Sequence, residues 1–344
     1  MRNSAPRAVV TGAGGFIGHH LVTFLKAKGF WVRGVDLKYP EFKSTDADEF
    51  WRMDLRDPAN CQLALSGADD VYALAADMGG MGYISCNHAQ ILRNNSLINI
   101  GSLEAARASG VKRYLFTSSA CVYPQYRQLV THAPALKEED AYPADPQDAY
   151  GWEKLITEQL CTHYRRDYGL QTYIVRFHNI FGPHGTWTGG REKAPAALCR
   201  KIALAKLTDT DQIEIWGDGE QTRSFCYIDD CIQGIYRLMN SDFNGPLNLG
   251  QDRLISINEL AGMIAEIAGV RLKQIHVPGP QGVRGRNSDN TLLHSVLSWT
   301  PEISLGEGLI RTYRWIEDQV KASLVSEQIL AKQQPCLAEH GGLS

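Results

Sequence analysis

Residues 8–18 read AVVTGAGGFIG, a short apolar run that leads directly into a glycine-rich loop. The run Ala8–Thr11 predicts a strand, and the apolar residues of Phe16–Lys28 recur with the period of a helix that Gly29 ends. Between them, three glycines follow a G-x-x-G-x-x-G spacing: Gly12, Gly15 and Gly18. Small residues there let backbone N–H groups and the helix N-terminus, at Phe16 and Ile17, approach a diphosphate. The stretch therefore predicts a dinucleotide-binding βαβ unit.

A carboxylate follows the loop at the position that selects between dinucleotides. Asp36 ends the second predicted strand, Trp31–Asp36, about 20 residues after the loop. Such a carboxylate bonds both ribose hydroxyls and repels a 2′-phosphate, which favours NAD over NADP. Arg33 and Lys38 keep the NADP alternative open. Asp54, at the end of the next predicted strand, is a candidate for the adenine edge or an ordinary turn residue.

Strands and helices continue to alternate through the first half, which predicts an α/β Rossmann-type, doubly wound parallel sheet. After about residue 179 the predicted elements become shorter and turn signals more frequent, which indicates a smaller mixed α/β, C-terminal substrate-binding subdomain. The expected boundaries are a dinucleotide-binding domain over 1–178 with returns from the C-terminal half, the subdomain over 179–325 and a loose tail over 326–344. The further predicted strands are Phe50–Met53, Val71–Ala75, Tyr114–Thr117 and Thr172–Phe177, and the helices are Asn94–Ser109, Ala149–Tyr168, Ser256–Ala268 and Leu305–Glu317.

Composition excludes several other classes of protein. The 344 residues include 38 acidic and 35 basic side chains, a net charge of −3, and 44% are apolar, which suits a large core and argues against a nucleic-acid partner. No apolar run approaches the roughly 18 residues of a membrane helix, and the N-terminus lacks a signal-peptide core. We therefore expect a cytoplasmic protein with no membrane partner. The eight cysteines are scattered without metal-ligand spacing, so no metal site is expected.

Tyr150 and Lys154 form a Y-x-x-x-K pair one turn apart on a predicted helix. A nearby ammonium favours phenolate, so we expect the tyrosine pKa to fall toward working pH and the phenol to take a proton from an alcohol. Ser118 and Ser119 end a predicted strand upstream, where a hydroxyl can bond the same substrate oxygen.

These motifs resemble the extended short-chain dehydrogenase/reductase family over roughly residues 7–320. The resemblance implies bound NAD, with Ala75 among its contacts, and a nucleotide-sugar substrate oxidised and reduced at a hydroxyl by Tyr150, Lys154 and Ser119. The family includes 4-epimerases, dehydratases, decarboxylases and non-catalytic NAD-binding scaffolds, which stay open as alternatives. The motifs are the glycine loop, Leu74-Ala75-Ala76, Thr117-Ser118-Ser119, Tyr150/Lys154 and Phe181-Gly182-Pro183.

Three segments are similar to a narrower group within that family, the enzymes that invert C3 and C5 of a GDP-hexose. They read SSACVYP over 118–124, GTWTGGREKAP over 185–195 and RGRNSDN over 284–290. The resemblance implies GDP-mannose as the small-molecule substrate, with GDP-L-galactose and the C5 epimer GDP-L-gulose as products. Oxidation of C4 to a ketone makes the protons on C3 and C5 acidic. Cys121 and Lys193 would then be the acid–base pair, in an order that the sequence leaves open.

The same resemblance implies the remaining substrate contacts. Arg223, Arg286 and Lys201 would hold the diphosphate, although Lys201 is also typical of a solvated surface. The other implied contacts are Gly79, in the loop MGGMG over 78–82, together with Asn179, Glu192 and Gln221. A homodimer is implied as well, joined through a helix bundle that includes the Tyr150 helix.

Overall fold

The computed structural model describes residues 5–333. Its strands are β1 (Arg7–Thr11), β2 (Trp31–Asp36), β3 (Glu49–Arg52), β4 (Asp70–Ala73), β5 (Arg113–Ser119), β6 (Gln171–Phe177), β7 (Ile180–Phe181), β8 (Gln212–Trp216), β9 (Thr222–Arg223), β10 (Cys226–Tyr227), β11 (Pro246–Leu249), β12 (Ile255–Ser256), β13 (Lys273–Val277) and β14 (Gly285–Arg286). Its helices are α1 (Phe16–Ala27), α2 (Pro58–Leu65), α3 (Met81–Ile84), α4 (His88–Ala108), α5 (Ala149–Tyr168), α6 (Ala194–Leu207), α7 (Ile228–Met239), α8 (Ile257–Ala268), α9 (Thr291–Leu297) and α10 (Leu305–Gln333). Three short 3₁₀ helices lie between β5 and α5.

A seven-stranded parallel sheet in the order β11-β6-β5-β4-β1-β2-β3 forms the centre of the molecule. Its chain order reverses at β1, which pairs with β2 on one side and β4 on the other. In open sheets of this kind, ligands bind outside the carboxyl ends of the strands at that reversal. The glycine loop leaves β1 at this point, so the topology places a ligand over it.

The predicted doubly wound fold is confirmed, including the return of the chain to the first sheet, because β11 pairs with β6. The segment after residue 179 builds three small sheets, β10-β7, β12-β9-β14 and β13-β8. One apolar core joins both halves, since Leu21 of α1 and Leu249 of β11 belong to the same buried cluster as Leu260 of α8 and Leu309 of α10.

Two sequence-based boundaries were wrong. α4 begins at His88, six residues before the predicted Asn94. α10 continues to Gln333, so residues 326–333 are helical and do not belong to a loose tail. Residues 334–344 of that predicted tail lie outside the described part of the chain. Among residues 5–333, no helix is long and apolar enough to cross a membrane.

Candidate active site

The glycine loop is shaped by close contacts with the neighbouring strand end. A side chain on Gly12, which has a φ of +71°, would lie 2.8 Å from the backbone nitrogen of Ala75, and one on Gly18 would lie 2.1 Å from the Gly12 carbonyl oxygen. Both positions therefore require glycine. The Asp36 carboxylate accepts hydrogen bonds from the backbone of Gly14 at 2.9 Å and Lys38 at 3.2 Å, which fixes it at the rim of the loop.

A cavity of about 800 Å³ opens over this loop. Every residue predicted to contact NAD lines it: Gly12, Gly15, Phe16, Ile17, Gly18, Asp36, Asp54, Ala75, Tyr150 and Lys154. The glycine cradle, the helix N-terminus and the Asp36 carboxylate fit the diphosphate and the adenosine ribose of a dinucleotide. Asp54 is paired with Arg56 at 2.5 Å, and this guanidinium lowers the pKa of Asp54.

Tyr150 and Lys154 lie at the beginning of α5, whose first turn is capped by the Asp148 carboxylate on the Gly151 N–H at 2.9 Å. Lys154 is 2% exposed, with Nζ 5.5 Å from the centre of the Tyr150 ring and 3.9 Å from the carboxylate of Glu153. The prediction that the pKa of Tyr150 falls was wrong. Burial raises the pKa of Tyr150 well above its ordinary value, and the Ser119 hydroxyl only partly opposes that rise.

The two serines at the end of β5 have different roles. Ser118 is buried and donates to Glu158 at 2.5 Å, which in turn pairs with buried Arg176. Ser119 faces the tyrosine and also accepts a hydrogen bond from the Cys121 N–H at 3.2 Å, which caps the 3₁₀ turn Ala120–Val122. The strand end thus presents Ser119 and Cys121 to the same space.

Helix α5 packs closely against the Cys121 segment. A side chain on Gly151 would come within 2.2 Å of the Cys121 carbonyl oxygen, so glycine at this position allows the approach. Cys121 is half-buried, and Arg286 donates from Nη1 to its Sγ at 3.3 Å.

Lys193 lines the cavity from the N-terminus of α6. The Lys193 side chain is exposed to solvent. Desolvation of the amine by the surrounding protein lowers its pKa. A negative charge on Cys121 would raise that pKa, so the two groups lie within electrostatic reach of each other. Two titratable groups of different chemistry therefore face the Tyr150 site.

The two predicted diphosphate arginines are neighbours. β14 pairs with β9 so that Arg286 lies opposite Arg223. Burial and the charge of Arg286 lower the pKa of Arg223, so this edge of the site favours an anion. Arg223 also donates to the carbonyls of Thr222 and Val283, each at 2.7 Å, which holds it in place.

The other predicted substrate residues are engaged with neighbouring protein groups. Asn179 donates to the Ser224 carbonyl at 2.9 Å and Gln221 to the Trp216 carbonyl at 3.2 Å. Glu192 pairs with Arg200 at 3.0 Å, and Lys201 donates to the Glu214 carbonyl at 2.7 Å. Gly79 lines the cavity. The structure thus gathers Ser119, Cys121, Tyr150, Lys193, Arg223 and Arg286, whereas Lys201 and Glu192 are held by other partners.

Sequence reasoning missed three residues of this region. Gln128 holds Arg286, Gly151 admits Cys121, and Arg191 lies against the ring of Tyr83 with 3.8 Å from its Cζ to the ring centre. Only Gly151 had a local signal, because it lies inside the Y-x-x-x-K motif. Within the described residues, no group of three or more His, Cys, Asp or Glu side chains is arranged to hold a metal.

Comparison with known proteins agrees with this geometry. Residues 8–250 match the model of the NAD dependent epimerase/dehydratase family. The chain belongs to this family. NAD is accordingly its cofactor, as Asp36 and the glycine loop predicted.

Individual relatives give a more specific comparison than the family model. The chain is 52% identical over 314 residues to GDP-mannose 3,5-epimerase of Arabidopsis thaliana, covering 91% of this chain and 82% of the relative. Among solved structures, UDP-glucose 4-epimerase of Thermotoga maritima superposes with a TM-score of 0.80 at 26% identity, covering 91% of this chain and 99% of that one. UDP-glucuronic acid 4-epimerase of Bacillus cereus, solved with UDP-glucuronic acid and NAD, gives 0.77 at 26% identity and the same coverage.

Proposed function

We propose that this protein converts GDP-mannose into GDP-L-galactose by inverting C3 and C5, with GDP-L-gulose as the product of inversion at C5 alone. The observation that carries the proposal is that Cys121 bonds Ser119 through its backbone N–H, while Lys193 lines the same cavity as Tyr150. An enzyme that only exchanges hydride at C4 has no need of a further thiol and amine. The 52% identity to GDP-mannose 3,5-epimerase of Arabidopsis thaliana supports the same substrate.

The reaction begins at the C4 hydroxyl of the hexose. NAD, when bound, supplies the acceptor for the C4 hydride and later returns it. Ser119 and Tyr150 bond the C4 oxygen, and Tyr150, as the phenolate that the Lys154 ammonium favours, takes its proton during oxidation. Because burial raises the pKa of Tyr150, the phenolate is a strong base, and the phenol formed from it keeps the proton until the ketone is reduced.

Inversion then uses the acidity that the C4 ketone gives to its neighbours. A base removes the proton from C5 or C3, and the electron pair of the C–H bond passes into an enolate. An acid returns a proton to the opposite face of the same carbon. Cys121 and Lys193 supply this pair, and the enclosure that lowers the pKa of Lys193 makes proton exchange by the amine easier near neutral pH.

The anion-binding edge accounts for the nucleotide end of the substrate. Arg223 and Arg286 are adjacent cations that suit a diphosphate, since guanidinium groups bond phosphate oxygens in pairs. Trp216, at the end of β8, is 46% exposed, and Lys201 Nζ lies 6.0 Å from the centre of its ring. Its flat surface suits a purine base.

Two further parts of the proposal concern the whole protein. We place it in the cytoplasm, in keeping with its composition, and as a homodimer. Exposed apolar side chains on α4 and α5 support the dimer: Leu97, Ile100, Trp152 and Ile156 are 40–54% exposed. The two helices contact each other through Asn99 and Glu153, so these apolar groups lie on adjacent helices.

Incubation of the purified protein with GDP-mannose in deuterium oxide tests the function. NMR of the products should show GDP-L-galactose with deuterium at C5 and C3. A C4 epimer without solvent deuterium would replace this proposal with a 4-epimerase. No conversion would indicate a binding scaffold.

A further inference from the structure

Gln128 is a buried amide whose hydrogen bonds are all made within the active-site region. It ends the 3₁₀ helix Gln125–Gln128 and is 1% exposed. Nε2 donates to the carbonyls of Tyr123 and Pro124, both at 3.1 Å, and Oε1 accepts from Nε of Arg286 at 2.5 Å. Two carbonyls on one side and a guanidinium on the other leave one orientation for the amide, because the flipped group would set its NH₂ against Arg286.

Arg286 connects this amide to the thiol. It is 8% exposed, and its Nη1 donates to Cys121 Sγ at 3.3 Å while Nε bonds Gln128. Its backbone is fixed separately, because the Arg286 carbonyl accepts from the Ser224 N–H at 3.2 Å. The backbone hydrogen bond therefore fixes the Cα of Arg286, and Gln128 fixes the position of its guanidinium.

We propose that Gln128 is a positioning residue that holds the Arg286 guanidinium against Cys121 and thereby stabilises the thiolate form of that cysteine. The catalytic role of this thiolate rests on the proposed function. The contact itself does not depend on the substrate. In the proton transfer, the C–H bond of the sugar breaks, its electron pair enters the enolate and an S–H bond forms on Cys121, while Arg286 keeps all its protons.

Other charged groups face Cys121 from the surrounding elements. Lys193 approaches from α6 and Arg223 from β9, and the phenol of Tyr150 lies on α5. Of these cations, Arg286 is the one with a hydrogen bond to the sulfur. Misalignment of the Arg286 guanidinium should therefore change the titration of the Cys121 thiol first.

The test is the Gln128→Met variant, which keeps the length of the side chain and removes its acceptor and donors. Alkylation of Cys121 by iodoacetamide is followed from pH 6 to 10 by mass spectrometry of the Cys121 peptide, with no substrate present. We expect the midpoint of the rate profile to rise by about one pH unit, the shift typical of losing an opposite charge at this distance. With GDP-mannose, deuterium exchange at C5 and C3 should fall about ten-fold near neutral pH, whereas the rise in NADH absorbance from C4 oxidation persists.

Gln125→Met is the matched control, because Gln125 lies on the same 3₁₀ helix with its side chain exposed. It should reproduce the wild-type profile. Arg286→Met provides a second test if the first variant folds poorly, and it should raise the same midpoint. An unchanged midpoint in either Gln128→Met or Arg286→Met, or an equal shift in Gln125→Met, would overturn the inference. A wild-type protein that fails to convert GDP-mannose would defeat the proposed function instead, since the thiol titration requires no substrate.

Discussion

At the scale of single residues, the proposed reaction is distinguished by the thiol of Cys121. In the proposed reaction, Tyr150 and Ser119 serve hydride exchange at C4, and neither transfers a proton at carbon. Cys121, two residues beyond Ser119, lies within hydrogen-bond distance of Arg286 and within electrostatic reach of Lys193. The proposed oxidation and the proposed inversions therefore use different side chains, and substitutions can separate the two.

Replacement of Cys121 by alanine should stop inversion without stopping oxidation. The Cys121→Ala variant is expected to lose about 10²–10⁴-fold in deuterium exchange at C5 and C3, the usual contribution of a general acid or base. It should retain NAD and still produce NADH absorbance when mixed with GDP-mannose. Cys86→Ala, at an exposed cysteine between α3 and α4, is the control and should behave as wild type. Normal turnover by Cys121→Ala would remove the thiol from the mechanism.

At the scale of elements, the segment that carries Lys193 is attached to the loop after β4. Arg191 stacks on Tyr83 with 3.8 Å from Cζ to the ring centre and lies 3.8 Å from the carboxylate of Asp77. The Gly80 N–H also donates to the Arg191 carbonyl at 3.0 Å. These contacts hold the segment 185–193 against the cavity, so Lys193 depends on a partner about a hundred residues earlier.

Loss of the Arg191 side chain should loosen this attachment. An exposed cation–π contact contributes about 0.5–1 kcal/mol, so we expect Arg191→Ala to lower kcat about two- to five-fold. Trypsin should also cleave after Lys193 faster than in the wild type. Arg191→Lys keeps the charge but loses the planar stacking. Its kcat and its cleavage rate should therefore lie between those of the wild type and of Arg191→Ala. Arg166→Ala, at an exposed arginine at the end of α5, is the control. A wild-type cleavage rate in Arg191→Ala would contradict the role of this contact.

The sequence predicted the elements whose pattern is local. The glycine loop, β2 ending at Asp36 and the whole of α5 were located correctly, because apolar period and capping residues act over a few positions. Contacts across the chain were out of reach. Gln128 and Arg286 are 158 residues apart, and no pattern in either segment indicates the other. Glu192 and Lys201 remain predicted substrate contacts, and the structure adds their protein partners, Arg200 of α6 and the Glu214 carbonyl of β8.

At the scale of the whole molecule, burial of a histidine links stability to pH. His178 is fully buried, with Nε2 2.9 Å from Asn248 Oδ1, and burial lowers its pKa to about 3 from an ordinary value of 6.5. Between these values the unfolded chain binds a proton at His178 that the folded protein does not. The free energy of unfolding should therefore fall as the pH drops below 6.5, by about 1.4 kcal/mol per pH unit from this residue.

The His178→Gln variant isolates that contribution. Urea unfolding at pH 7, 6, 5 and 4 should show a shallower loss of stability than the wild type, by about 1.4 kcal/mol per pH unit, whatever the absolute stability of the variant. His88→Gln, at an exposed histidine, should keep the wild-type slope. Equal slopes for His178→Gln and the wild type would show that His178 titrates alike in both states.

The apolar surface of α4 and α5 supports the proposed homodimer. Ile100 is 51% exposed and Ile156 is 54% exposed, and water contact with such side chains is unfavourable unless another surface covers them. A charge on that surface would be buried without a partner in the proposed dimer, which costs several kcal/mol. Ile156→Glu should therefore be monomeric by sedimentation velocity at concentrations where the wild type is dimeric. Leu63→Glu, at a residue of α2 with 56% exposure, should leave the mass unchanged.

Because α5 also carries Tyr150 and Lys154, the monomer should lose activity if the dimer steadies that helix. A dimeric Ile156→Glu would instead place the interface on another face of the molecule.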